Sequence, residues 1–335
     1  MRGPTFRVKP YAHPKYKFVV RAKLAGKWKR SYFQSEAEAA AYADNQNASL
    51  EQQLKQQQSA PERSDGHTNS TPNWHELEKS NRRSTVSSQA VSRKAIVVLG
   101  MHRSGTSAVC GALDVLGVNF GKHLMPANAA NPKGYWEHPE IVAWHDELLR
   151  SLGSRWDNDR PLPSDWVERD ITRDIRSLLM GILERDFAHA SLFGLKDPRM
   201  CRLMPLWLPI FQTLRIEPHF VLTVRHPWEV AESLAKRDGL EHPKSYLLWL
   251  EHLVQAISAT RAHQQSVVCY EEMIDDPVKV LTGLRKELGV NLRAPFRVRT
   301  SLRKFLETSL RHHHLKKRQP NKCKPPVPRL ALDLY

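Results

Sequence analysis

Near the start of the chain, apolar and polar positions alternate. Phe18, Val20, Ala22 and Leu24 are apolar while Lys17, Arg21 and Lys23 fall between them, the period of a strand with one buried face. Gly26 supplies a turn, and the segment from Lys27 to Phe33 returns as a second strand in which Trp28 and Tyr32 alternate with basic residues. Ser35 with Glu38 three positions later makes a capping box, which predicts a helix through roughly Leu54. From there to about Arg93 the chain turns to Gln, Ser, Asn, Thr and Arg with few apolar positions, and residues 58–93 read as a flexible linker.

The pattern then changes. Ala95 to Leu99 is a continuous apolar run, as expected of a strand covered on both faces. A polar, glycine-bounded loop follows, and from Thr106 to Leu116 the period becomes helical, with Val109, Leu113 and Leu116 on one side. Three more apolar runs, Leu192–Lys196, Phe220–Val224 and Val267–Tyr270, are separated by helical stretches. Strands alternating with helices predict an α/β fold: a P-loop-type parallel sheet flanked by helices, preceded by a small sheet-and-helix module and a disordered linker. The expected boundaries are 1–57 for the module, 58–93 for the linker, 94–311 for the α/β domain and 312–335 for an irregular basic tail.

Charge sharpens this division. The 335 residues carry 51 Lys and Arg against 35 Asp and Glu. Ten of the basic residues lie in 1–35 with no acid, and eleven in 297–329 with only Glu307. The remainder holds 30 basic and 34 acidic residues, so the body is slightly acidic and any anion site in it must be built locally. No apolar run approaches the roughly 18 residues of a membrane span, and no apolar segment follows the first basic residues as in a secretory leader. The four cysteines are scattered, with no C-x-x-C pair, which predicts neither a disulfide framework nor a thiolate zinc site. A cytoplasmic protein that needs no metal is the expectation.

The candidate chemistry begins at Gly100-Met101-His102-Arg103-Ser104-Gly105-Thr106-Ser107. A strand, a glycine-bounded loop and a helix N-terminus form an anion cradle, because consecutive N–H groups and the helix dipole both favour phosphate. Thr106 stands where a nucleotide triphosphatase needs its lysine, which counts against a P-loop kinase, and the loop's cation is Arg103 instead.

This G-x-x-R-S-G-T-S segment resembles the 5′-phosphosulfate loop of the bacterial and Golgi-type branches of the sulfotransferases that use 3′-phosphoadenosine 5′-phosphosulfate (PAPS). The resemblance implies that Arg103 touches the oxygen between phosphate and sulfonate, while Ser104, Gly105, Thr106 and Ser107 hold the 5′-phosphate. The family's second motif, a strand-end Arg and a Ser eight residues later on the 3′-phosphate, is matched by Arg225 and Ser233, with Pro227 at the first turn of a helix. Leu195-Lys196-Asp197-Pro198-Arg199 resembles its K-D-P-R element, and the run from Tyr270 to Pro277 its Y-E-x-x-x-x-x-P segment. The likeness spans about residues 94–292.

An acceptor hydroxyl must lose a proton as it attacks sulfur. The candidate bases are Glu137, first, and His138, second, in Gly134-Tyr135-Trp136-Glu137-His138, which related bacterial proteins approximate as G-Y-W-E. Lys196 either binds sulfonate oxygens or pairs with Asp197. Trp136, Trp144, Trp156 and Trp166 form a sugar-stacking wall or pack in the core. The late R-K-G-x-x-G segment of the cytosolic branch has no counterpart, so the nucleotide clamp is left incomplete. The acceptor, whether a sugar, lipid, peptide or small hydroxyl compound, stays open.

Residues 15–54 resemble small AP2-like or integrase arm-type modules that lay a basic sheet face on DNA. Lys17, Arg21, Lys23, Lys27, Lys29 and Arg30 would then contact phosphates, although the same face suits any polyanion. Three readings follow: a PAPS-dependent sulfotransferase, a DNA- or polyanion-binding protein with an inactive nucleotide-binding body, and a P-loop kinase.

Overall fold

The computed structural model describes residues 7–10, 18–24, 27–33, 35–44, 93–128, 131–306 and 327–335. The chain divides into two compact units, Met1–Ser88 and Gln89–Tyr335.

In the first unit, β1 (Arg7–Pro10), β2 (Phe18–Leu24) and β3 (Lys27–Phe33) form an antiparallel sheet in that order. The two predicted strands have the expected bounds, while β1 is an addition. Leu24 pairs with Lys27, so two residues connect β2 to β3, and odd positions of β2 face even positions of β3. The register therefore places Arg21, Lys23, Trp28, Arg30 and Tyr32 on one face, joined by Arg7 and Lys9 of β1. This corrects the expected basic face: Lys27 and Lys29 fall on the other side, opposite Leu24 and Ala22. Lys17 lies outside the described residues. A helix, α1, covers 36–44, and Glu38 N donates to Ser35 Oγ at 3.3 Å, so the predicted cap forms. Residues 45–92, which include most of the expected linker, lie outside the described residues.

The second unit is an α/β domain. Its four-stranded parallel sheet has the order β5-β4-β6-β7, with β4 at Arg93–Leu99, β5 at Leu192–Lys196, β6 at Ile216–Val224 and β7 at Gln265–Cys269. Every residue from Ala95 to Leu99 is fully buried, as a central parallel strand requires. Between β4 and β5 run α2 (Thr106–Val115), α3 (Pro139–Ser151) and α4 (Asp170–Asp186). Next come α5 (Met200–Thr213) before β6, then α6 (Pro227–Asp238) and α7 (His242–Thr260) before β7. The chain continues through α8 (Tyr270–Asp275), α9 (Pro277–Leu288), a 3-10 turn at Pro295–Val298 and α10 (Arg299–Phe305).

Ile96, Val98 and Val221 of the sheet join Val109 and Leu113 of α2, Leu281 of α9 and Leu302 of α10 in one core. The alternate residues Ala95, Val97 and Leu99 point to the opposite face, on the side of α5 and α7. The chain leaves β4 towards β5 and leaves β6 towards β7, so a crevice opens between the carboxyl ends of β4 and β6. Open α/β sheets bind ligands at such a reversal.

The expected irregular tail needs amending at its end. Arg329–Asp333 forms a short helix, α11, and Val327 and Ala331 are buried in a core with Leu248, Trp249 and Leu253 of α7. His312 to His314 and the basic residues Lys316 to Lys324 lie outside the described residues.

One tight contact tests the packing of β5. Gly194 is a strand residue on which a Cβ would lie 2.3 Å from the Phe120 ring. Gly194→Ala is expected to lower stability by about 1–3 kcal/mol through overpacking. Thermal denaturation checks this, and an unchanged melting temperature would show that Phe120 moves aside freely.

Candidate active site

A cavity of about 420 Å³ opens at the carboxyl ends of β4, β5 and β6, and the loop after β4 forms one wall. The loop turns sharply: Gly100 and Gly105 have φ of 156° and 91°, and Arg103, although not glycine, sits at 69°. Gly105 caps α2, and a Cβ there would lie 2.1 Å from Tyr270 Cδ2. The Tyr270 ring is thus a shelf beneath the loop, and the Arg225 guanidinium lies 4.7 Å from the same ring. This is the structural work of the Tyr270–Pro277 segment. Glu271 Oε1 also accepts from His226 N at the start of α6, and Asp276 caps α9 by accepting from Lys279 N.

The residues expected to bind the nucleotide converge. Arg103, Gly105, Thr106, Ser107 and Arg225 line the cavity. Arg103 Nε donates to Ser233 Oγ at 2.8 Å, and Arg225 Nη1 donates to the Arg103 carbonyl at 3.2 Å. Two segments about 120 residues apart are therefore in direct contact. Arg225 is further held by Glu229, which accepts from its Nε and Nη2 at 3.0 and 2.9 Å in a buried pair. The Ser104 hydroxyl is buried without a hydrogen-bond partner among the described residues, as is Nε2 of His102 in the same loop. Burial, followed by the nearby Arg237 and Arg225, lowers the pKa of Arg103, which places three guanidiniums close together.

The two candidate bases part company. Glu137 lines the cavity and accepts from Lys196 Nζ at 2.5 Å. Burial pushes the Glu137 carboxyl above its ordinary value, against the pull of Lys196. His138 instead caps α3, and its Nε2 meets Asp186 at 2.9 Å; it is not among the cavity-lining residues. Burial lowers its pKa in spite of Asp186.

Lys196 does not pair with Asp197. It reaches Glu137, the Tyr135 carbonyl at 3.1 Å and Ser107 Oγ at 3.4 Å. Asp197 accepts instead from His145, from Arg199 N and from the Arg199 guanidinium, and these hold its carboxyl well below the usual range although burial acts the other way.

Of the four tryptophans only Trp156 lines the cavity. Trp144 and Trp166 are buried in the core, and Trp136 packs edge-on against Phe120 and Phe305, so no tryptophan wall forms. Cys201 is buried with its Sγ accepting from Gly100 N, and its thiol is pushed up to about 12, which leaves it structural. Pattern reading missed Asn131, whose Nδ2 donates to Ser107 Oγ, and Arg237. Arg237 had a local signal, because it stands one helical turn after Ser233. Six cations, Arg103, Lys133, Lys196, Arg199, Arg225 and Arg237, line the cavity against Glu137 and Asp238, so the arrangement suits a polyvalent anion. No group of three or more His, Cys, Asp or Glu able to hold a metal occurs among the described residues.

The buried Lys196–Glu137 pair makes a pH-dependent prediction. Lys196→Met leaves Glu137 without its cation, so its pKa in the folded state rises further above the unfolded value. Stability then falls as pH rises through that range, because the folded state holds the proton more tightly. The variant is expected to melt close to the parent at pH 5 and to be about 3–5 kcal/mol less stable at pH 8, the cost of an uncompensated buried charge. Melting curves at the two pH values check this, and an equal loss at both would remove the pairing from the explanation.

The sequence matches no family model and no curated protein. Among solved structures, the chain is similar to the sulfotransferase domain of the Synechococcus PCC 7002 olefin synthase at 17% identity, over 72% of this chain and 94% of that one, with a TM-score of 0.41. It is similar to the sulfotransferase domain from the curacin biosynthetic pathway at 15% identity, over 72% and 96%, with a TM-score of 0.39. A sulfotransferase from Mycobacterium avium is 15% identical over 72% and 73%, with a TM-score of 0.37. Likeness at this level transfers no residue role.

Proposed function

We propose that the chain is a sulfotransferase that moves the sulfonyl group of PAPS to an acceptor hydroxyl. The observation that carries this reading is the loop after β4: Arg103, Gly105, Thr106 and Ser107 line a cavity with six cations, the buried Ser104 hydroxyl beside them is unpartnered among the described residues, and no lysine stands at the position of Thr106. Such a cradle suits an anion that is transferred without metal-assisted triphosphate hydrolysis. The donor set fits PAPS, with Ser104 to Ser107 on the 5′-phosphate and Arg225 and Ser233 near the 3′-phosphate.

In the proposed step the acceptor oxygen bonds to sulfur as the bond from sulfur to the phosphate oxygen breaks. The electron pair leaves on 3′-phosphoadenosine 5′-phosphate (PAP), and the acceptor proton passes to Glu137. Arg103 stabilises the charge that grows on the departing phosphate. Lys196, within reach of both Ser107 and Glu137, offsets charge on the sulfonate oxygens.

The test is transfer of labelled sulfonate from PAPS to a panel of sugar, lipid, peptide and small hydroxyl acceptors. Arg103→Ala is expected to cut turnover by about a hundredfold or more. Glu137→Gln is expected to lose turnover and keep PAP binding. Near-parental rates in either variant would remove that residue from the mechanism. Binding of ATP with Mg²⁺ in preference to PAP would favour a kinase, and PAP binding without transfer to any acceptor would favour an inactive body.

For residues 1–57 we propose contact with duplex DNA, supported by the register that groups Arg7, Lys9, Arg21, Lys23 and Arg30 with Trp28 and Tyr32 on one sheet face. Five neutralised phosphates predict a log–log salt slope of about −4 to −5 for DNA binding by the full chain. That binding should vanish when residues 1–88 are removed. A flat salt response, or binding to heparin-like polymers but not to DNA, would reject the DNA role and leave acceptor recruitment.

A further inference from the structure

Two parts of the cavity stand outside the roles assigned above. One is Trp156 in the segment between α3 and α4. Its ring lies 4.4 Å from that of His102, and the Arg237 guanidinium lies over it at 5.5 Å. The other is His102 itself, whose Nε2 is buried without a partner among the described residues. All three line the cavity. Burial, then Arg199 and Arg237, hold the imidazole well below its ordinary pKa, so it is neutral and offers one donor and one acceptor.

The charges around Ser233 are unequal. Arg225 is compensated by Glu229, which takes two of its N–H donors in a buried pair. Its positive charge is therefore largely spent within the protein. Arg237 stands one turn along α6 from Ser233. Its Nε bonds Asp238 at 2.7 Å, but that pair is about a quarter exposed, where solvent weakens it. Its guanidinium is also near enough to depress the pKa of Arg103, which itself bonds Ser233.

From this grouping we infer that Arg237, held against Trp156 and paired with the partly exposed Asp238, is a specificity-determining residue that supplies positive charge for the second phosphate of the nucleotide. The inference rests on the sulfotransferase reading and deepens it. It also fills the gap left by the missing late basic segment with a residue of α6. Trp156 acts here as a brace for a cation and not as a stacking platform, since His102 and Arg237 both lie against its ring.

The test compares PAP, which carries 3′- and 5′-phosphates, with adenosine 5′-phosphate, which lacks the 3′-phosphate, by isothermal titration. The parent is expected to prefer PAP. Arg237→Ala should weaken PAP by about ten- to a hundredfold, the loss of one charge-assisted contact, and leave adenosine 5′-phosphate within about twofold. Arg237→Lys should recover part of the preference, and Trp156→Leu should reduce it without removing the charge. Circular dichroism and melting of each variant report whether the fold is kept. If the parent prefers PAP and Arg237→Ala keeps that preference, or weakens both ligands equally, the assignment of Arg237 is overturned while the sulfotransferase reading stands. If the parent binds no PAP, that reading fails and the inference falls with it.

Discussion

The carboxylate of Asp197 fixes the floor of the cavity. It is fully buried and stays charged because four donors converge on it or behind it. Arg199 contributes a backbone N–H and a guanidinium N–H, and His145 contributes its Nδ1 at 2.7 Å. The Trp207 indole, which can only donate, bonds His145 Nε2 at 2.9 Å and so fixes the proton of that ring on Nδ1. One side chain thereby ties the end of β5 to α3 and α5. A buried ion that lost any of these partners would be costly, so the geometry tolerates little drift. Lys196 is the next residue along the chain, and its reach to Glu137, Ser107 and Tyr135 inherits that rigidity.

The same economy governs the cations. The body of the chain is slightly acidic, yet its cavity is strongly basic, because the folding of β4, β5 and β6 brings together arginines and lysines far apart in sequence. Buried carboxylates then hold the side chains in place: Glu229 for Arg225, Asp197 for Arg199, Glu137 for Lys196. Each pair restrains one long flexible side chain and reduces the repulsion among its neighbours. What is left over is a positive excess set by position and not by composition.

Much of the fold was legible because burial writes a period into the chain. The run Ala95 to Leu99 and the turn to helical spacing at Thr106 gave β4, α2 and the loop between them. β6 was read four residues short because Glu217, Pro218 and His219 interrupt its apolar pattern, although they pair within the sheet. β1 is only four residues long and has no pattern to betray it. The motifs were legible in order, but their pairings were not. Arg103 meets Ser233, Lys196 meets Glu137 and His138 meets Asp186 across 130, 59 and 48 residues, and no local periodicity encodes such distances. Nor could spacing show that His138 faces away from the cavity while its neighbour faces in.

Arg103 holds its place in the loop with a backbone angle of 69°, a region where glycine sits without strain and a branched chain of atoms does not. The protein therefore carries a small conformational debt at the residue on which its proposed chemistry leans. A laboratory population selected for heat resistance alone would drift towards glycine at this position, gaining stability as it shed the guanidinium. A population selected for turnover would hold the arginine and recover the loss elsewhere, for instance in helix caps or surface pairs. The two histories would separate at a single codon.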